Sequence, residues 1–165
     1  MATVANDGVA FRPHLVKFIR DARTGDQRQL ERDPSGTVAL KPEHLATIKN
    51  ALVGVSREGT SAAAFRGAAY VSAGKTGTAQ VFSLKGEKYS EHKIDERLRD
   101  HAWYIAYAPA DQPRIALAVL VENGGFGAQA AAPIARQVFD YYLTGVAKAG
   151  PAPAIAAPDA EDESD

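Results

Sequence analysis

Lys75, Thr76, Gly77 and Thr78 stand consecutively in the stretch Lys75-Thr76-Gly77-Thr78-Ala79-Gln80-Val81, entered through Val71-Ser72-Ala73-Gly74. The stretch reads as a β-strand, so Lys75 and Gly77 share one side and Thr76 and Thr78 the other. At a sheet edge, a ligand lying along such a strand can touch both sets. Gly77 removes the side chain that would hold the ligand away from the backbone. An ammonium, two hydroxyl donors and free main-chain N–H groups all suit a carboxylate or a developing oxyanion. The chemistry implied is anion recognition on an edge strand.

This arrangement resembles the active sites of penicillin-binding proteins and serine β-lactamases, whose three motifs are Ser-x-x-Lys, a Ser-x-Asn triplet and Lys-Thr-Gly. The extended form Lys-Thr-Gly-Thr-Ala-Gln-Val is most similar to class B, transpeptidase-only members. Three downstream blocks resemble that class in the same order. They are Asp100-His101-Ala102-Trp103-Tyr104-Ile105-Ala106-Tyr107-Ala108-Pro109-Ala110, then the strand-like residues 115–121 with Glu122-Asn123-Gly124-Gly125, then Ala131-Ala132-Pro133-Ile134-Ala135-Arg136. The Glu-Asn-Gly-Gly turn is most similar to the elongation-specific group, penicillin-binding protein 2. The resemblance spans residues 1–145 and implies the C-terminal portion of an α/β (α+β) transpeptidase fold, with antiparallel strands packed by helices.

By that resemblance Lys75 keeps the local field positive and aids proton traffic. Thr76 and Thr78 would hold the terminal carboxylate of a D-Ala-D-Ala stem peptide or a β-lactam, and the Thr78 N–H would be one oxyanion donor. Gly77 would permit close backbone approach, and Trp103 and Tyr104 are candidates to line the groove beside them, Trp103 as a substrate-binding residue. Trp103 and Tyr104 also have a plainer reading, as aromatic strand residues packed in a core. The resemblance further implies cell-wall elongation proteins as partners, no cofactor, and work at the periplasmic face of the bacterial inner membrane.

The other two motifs of the family are not found in context. Ser72-Ala73-Gly74-Lys75 borrows the strand lysine, and residues three apart on a strand point to opposite faces, so Lys75 cannot activate Ser72. Ser90-Glu91-His92-Lys93 lies in a charged stretch without an apolar face, and no Ser-x-Asn or Tyr-x-Asn occurs. The expectation is a transpeptidase segment without the nucleophile, inactive by itself. An alternative is a non-catalytic carboxylate- or peptide-binding piece that folds with the missing half, or a decayed product. A remoter alternative is a nucleotide-binding P-loop ending at Gly74-Lys75-Thr76. That motif needs a glycine where Ala69 stands and a helix, not a strand, after the lysine.

The 165 residues are 45% hydrophobic and 24% charged, which suits a folded domain rather than a disordered chain. Zero cysteines exclude disulfides and thiolate chemistry. The histidines (His14, His44, His92 and His101) form no pair at metal-ligand spacing. Residues 146–165 are rich in Pro, Ala and acids and read as a disordered tail. Without the 5 acids of that tail, 19 basic residues face 15 acidic ones, too mild an excess for a nucleic-acid surface. The longest apolar run, residues 115–121, is far short of the ~18 residues of a membrane span. No basic-then-apolar leader opens the sequence, so any export signal or anchor is expected outside these residues.

Around the strand, the pattern predicts elements that would hold it. Residues 1–6 read as a helix end stopped by Asn6-Asp7-Gly8, and residues 9–11 and 14–19 as extended, with a turn at Arg23-Thr24-Gly25-Asp26. Lys41-Pro42-Glu43 opens a helix whose Leu45, Ile48, Leu52 and Val55 form one buried face, ended by Gly59-Thr60. Residues 85–100 form a charged insert, read as a solvated loop or as a flap beside the groove. Residues 103–108 and 114–121 make a hairpin around Pro109-Ala110-Asp111-Gln112-Pro113. Pro133 opens a last helix in which Ile134, Val138, Phe139 and Tyr142 recur, and Gly145 stops it.

Overall fold

A computed structural model describes residues 1–81 and 95–146. Most of the charged insert, including Ser90 and Lys93, and all of the acidic tail beyond Val146 lie outside the described residues. The elements run α1 (Ala2–Ala5), β1 (Val9–Phe11), β2 (Phe18–Arg20), β3 (Gln27–Gln29), β4 (Pro34–Thr37), α2 (Pro42–Arg57), α3 (Ala62–Phe65) and β5 (Ala73–Ala79). A 3-10 turn (Glu96–Leu98), β6 (His101–Ala108), β7 (Ile115–Val121) and α4 (Ala131–Thr144) follow.

The central sheet is antiparallel in the order β5-β6-β7, and two small antiparallel ribbons, β1-β4 and β2-β3, stand apart from it. Pairing of β5 with β6 sets Gly74 against Ala106, Thr76 against Tyr104 and Thr78 against Ala102. Ala73, Lys75 and Gly77 face Tyr107, Ile105 and Trp103 in the alternate pairs. Directly opposed residues share a face, so the first set lies on one side of the sheet and the second on the other. The first face carries the larger core, where Ala102, Tyr104, Ala106 and Ala108 pack with Phe65 of α3 and with Ala131, Ala132, Ala135 and Phe139 of α4. On the other face Ala73 and Tyr107 meet Ala5, with Leu52 and Val53 of α2 beside them.

Helix α4 departs from the pattern read off its sequence. Ile134, Val138 and Tyr142 are exposed, whereas Ala131, Ala132, Ala135, Phe139 and Asp140 are buried. The alanines meet the alanine-rich face of β6, so small side chains on both elements bring the helix close and turn the bulky residues outward. Gly145 caps α4 in the left-handed conformation, φ 73°. Helix α2 opens at Pro42 as the sequence indicates, but Ile48 is exposed and Leu45, Leu52 and Val55 are only half-buried. The buried residue of α2 is Ser56, whose Oγ donates to the carbonyls of Val53 and Ser72.

Among the early strands, β1 and the turn at Arg23-Thr24-Gly25-Asp26 match the sequence pattern. The extended reading of residues 14–19 shrinks to Phe18–Arg20. Strands β3 and β4 carry no apolar alternation, and every one of their residues is exposed. They form through main-chain pairing with β2 and β1, which hydrophobic periodicity does not report. No helix among the described residues is long and apolar enough to cross a membrane.

Candidate functional site

Strand β5 pairs with β6 along one side only, and its other edge is unpaired within the described sheet. Alternate main-chain N–H and C=O groups on such an edge face outward. Lys75 is exposed, and its Nζ donates to the Thr76 carbonyl at 2.7 Å. Thr76 Oγ1 lies 2.8 Å from Thr60 Oγ1, which projects from the turn between α2 and α3. Thr78 is exposed. A Cβ on Gly77 would come 3.3 Å from Trp103 Cβ, so the glycine leaves its side of the strand flat.

These residues line an open cleft of about 360 Å³ with Phe126, Gly127 and Ala128 as the facing wall. Lys75 is the sole charged side chain among the described lining residues, which combine one cation with three hydroxyls and strand backbone. Anion recognition is the chemistry this set supports. Larger clefts of about 470 and 900 Å³ lie against α1 and α2, and neither combines hydroxyl side chains with an open strand edge. Of the residues singled out from the sequence, Lys75, Thr76, Gly77 and Thr78 come together here. Trp103 does not line the cleft; it pairs with Gly77 across the strands and stays 37% exposed.

Beneath the strand, Tyr104 is fully buried in the core, as the plainer reading had it, with its hydroxyl 3.1 Å from Ser61 Oγ. Burial pushes the Tyr104 phenol above its ordinary range, tempered by the neighbouring Ser61 and Ser72 hydroxyls. Ser72 is buried just before β5, whereas Lys75 is exposed on it. The P-loop alternative fails its context test, because Lys75 is followed by strand to Ala79.

The wall opposite β5 is braced from below. Asn123 takes a positive φ of 54°, and its side-chain amide donates to the carbonyls of Arg97 and Arg99 at 3.0 and 2.9 Å. Its N–H donates to His101 Nδ1 at 2.9 Å, and the Gly125 N–H donates to the Asp100 carbonyl at 2.8 Å. The Glu122-Asn123-Gly124-Gly125 turn therefore locks the exit of β7 to the entry of β6. Beyond it the Gly127 carbonyl accepts from Ala131 N and Ala132 N at the start of α4. Thr60 and the Phe126 to Ala128 wall were not singled out from the sequence. The run Gly124-Gly125-Phe126-Gly127 was the available signal, since closely spaced glycines mark close backbone approach.

The profile of the penicillin binding protein transpeptidase domain matches residues 1–140. The chain belongs to the penicillin-binding protein transpeptidase family. Similar curated relatives include the peptidoglycan D,D-transpeptidase MrdA of Haemophilus influenzae, 41% identical over 146 residues, covering 85% of this chain and 22% of the relative. MrdA of Escherichia coli K12 is 40% identical over 144 residues, with the same coverage. Among solved structures, Pseudomonas aeruginosa PBP2 in complex with WCK 5153 superposes with a TM-score of 0.67 at 35% identity. It covers 95% of this chain and 30% of its own. The penicillin G acyl-enzyme complex of Mycobacterium tuberculosis penicillin-binding protein A gives 0.64 at 34% identity, over 86% and 30%. The fold is thus that of a penicillin-binding transpeptidase domain, and within the family the chain resembles the MrdA/PBP2 type. It spans about a fifth of the length of the curated relatives it matches.

Proposed function

We propose that this chain supplies the carboxylate-recognising, oxyanion-stabilising strand of a serine-type peptidoglycan D,D-transpeptidase. The observation that carries the proposal is Lys75-Thr76-Gly77-Thr78 on a strand edge unpaired within the described sheet, lining a cleft whose one charge among the described residues is positive. In the reaction a serine attacks the penultimate D-alanine carbonyl of a stem peptide. The carbonyl π electrons move onto oxygen, D-alanine leaves with a proton, and an amine of a neighbouring stem resolves the acyl-enzyme. Thr76 and Thr78 hydroxyls hold the terminal carboxylate of the stem or of a β-lactam. The Thr78 N–H donates to the carbonyl oxygen as it becomes an oxyanion, which is where a fixed donor lowers the barrier. Lys75 keeps the field positive and assists proton movement, and Gly77 lets the substrate lie against the strand.

No Ser-x-x-Lys stands in the family's context among these 165 residues, so the chain by itself forms no acyl adduct. The named relatives support work in cell-wall synthesis, and the likeness to the MrdA/PBP2 type supports an elongation role beside other wall-synthesis proteins. By the same reasoning the site of action is the periplasmic face of the inner membrane.

Intact-mass spectrometry with benzylpenicillin tests the reading. The chain alone is expected to stay unmodified. Mixed with a polypeptide carrying the upstream part of the H. influenzae relative's transpeptidase domain, it is expected to yield one acyl group per complex, on the supplied serine. Acylation of Ser72 or Ser90 in the isolated chain, or no acylation in a stable complex, would overturn the proposal.

A further inference from the structure

Among the described residues, Thr60 contributes the one hydroxyl of the cleft that does not come from β5. Its neighbours on both sides are anchored. Gly59 is pressed against α2, where an added Cβ would lie 2.8 Å from Val55 Cα. Ser61 is fully buried; its N–H and its Oγ both donate to the Val55 carbonyl, at 3.1 and 3.0 Å, and its Oγ also meets Tyr104 Oη. Thr60 is carried between these two fixed points with its Oγ1 2.8 Å from Thr76 Oγ1. Thr76 is thereby held twice, through its hydroxyl by Thr60 and through its carbonyl by Lys75 Nζ.

We infer that Thr60 is a positioning residue for carboxylate recognition, fixing the direction in which the Thr76 hydroxyl offers its proton. The inference rests on the reading of β5 as the carboxylate-binding strand. A carboxylate only accepts, and a threonine hydroxyl has one proton and two lone pairs. When Thr76 gives its proton to a carboxylate in the cleft, the contact with Thr60 survives only with Thr60 as donor. Thr60 then removes the competing orientation, in which the Thr76 proton points back toward the turn. It also polarises the Thr76 O–H, since chained hydrogen bonds strengthen one another. A valine at position 60 keeps the shape and loses both effects, whereas a serine keeps both.

The test uses the full 165-residue chain, with folding checked by circular dichroism and affinity read by NMR titration. The probes are benzylpenicillin, which bears a carboxylate, and its methyl ester, which does not. Thr60→Val is expected to weaken benzylpenicillin binding about fivefold, the size of one lost hydrogen-bond contribution, with the ester's weaker binding unchanged. Thr60→Ser is expected to bind like the parent chain. If Thr60→Val weakens acid and ester alike, the role is merely structural and the inference falls. If Thr60→Val binds like the parent while Thr76→Val weakens the acid, the inference falls and the carboxylate-binding strand stands. If the parent chain does not distinguish acid from ester, both fall together.

Discussion

The hydroxyl of Tyr104 occupies the space that a side chain on Gly74 would need. A Cβ on Gly74 would lie 2.6 Å from Tyr104 Cζ and closer still to Oη, with Ala106 Cβ at 3.1 Å. The glycine that leads into Lys75 is therefore required by packing. It lets a buried tyrosine reach under the edge strand to Ser61, and so ties the floor of the cleft to its Thr60 rim. Gly74→Ala should destabilise the chain by about 2 kcal/mol, as overpacked cores do. Tyr104→Phe should cost about 1 kcal/mol for the lost hydrogen bond. Because the alanine methyl meets Tyr104 directly, the double variant should be less destabilised than the sum. Urea denaturation of the four chains measures this, and additive costs would contradict the contact.

A cluster of Tyr70, Arg136 and Asp140 fastens α4 to the segment before β5. Arg136 Nε and Tyr70 Oη both donate to Asp140 Oδ1, at 2.8 and 2.9 Å, and Arg136 also reaches the carbonyls of Ala64 and Arg66. Both charged side chains are largely buried. Removing one partner strands the other charge away from water, so Asp140→Ala should cost about 3 kcal/mol. Tyr70→Phe removes one donor and leaves the ion pair, and should cost about 1 kcal/mol. Added salt should change the stability gap between Asp140→Ala and the parent little, since buried pairs are poorly screened. A gap that closes in high salt would mean that the cluster is solvated.

These two clusters mark how far the sequence could be read. The strand with Lys75, Thr76, Gly77 and Thr78 is local chemistry, so its elements, alternation and edge character were legible from residue types and period. The hairpin, the Pro42 start of α2 and the Gly145 stop of α4 are local for the same reason. Burial depth was not legible. Spacing gives the direction of a helix face, but alanines on α4 and β6 decided which face came closest, and Ile134 and Val138 were left outside. Thr60 reads from the sequence only as a helix end, because its importance is a contact with Thr76 across 16 positions, which no local pattern encodes. Strands β3 and β4 escaped notice because polar ribbons are held by main-chain pairing alone.

Tyrosine ionisation provides a pH test of the same interior. Burial raises Tyr70, Tyr104 and Tyr107 above the ordinary phenol value of 10, with the Asp140 hydrogen bond and charge adding to it at Tyr70 and the Asp7 charge at Tyr107. A raised phenol value means that the folded chain holds its proton where the unfolded chain has lost it. The stabilisation is full below pH 10 and is lost as the pH climbs from 10 through the folded-state values. Ultraviolet titration should show part of the 6 tyrosines ionising late, in the same interval as a fall in urea midpoint. Tyr104→Phe should reduce both signals. Simultaneous ionisation of all tyrosines near 10, with the fold intact, would contradict this interior.

The wall opposite β5 meets the strand at Gly127 and Gly77. A Cβ on Gly127 would lie 2.6 Å from the Gly77 carbonyl oxygen and 3.1 Å from Gly77 N, and would collide with the Trp103 carbonyl oxygen. Backbone is in contact with backbone, so no side chain can rotate away to make room. The Gly127 carbonyl is also committed to two N–H groups of α4, so the loop cannot shift without disturbing that helix start. Gly127→Ala should therefore cost about 2 kcal/mol and displace the Phe126 to Ala128 wall from the strand. Benzylpenicillin binding should fall with it, whereas Gln129→Ala, an exposed change in the same loop, should leave stability and binding as they were. Amide chemical shifts of Gly77 and Thr78 report the event directly, because they sit under the displaced residue. A Gly127→Ala chain with those shifts and its penicillin affinity unchanged would show that the wall does not bear on the strand.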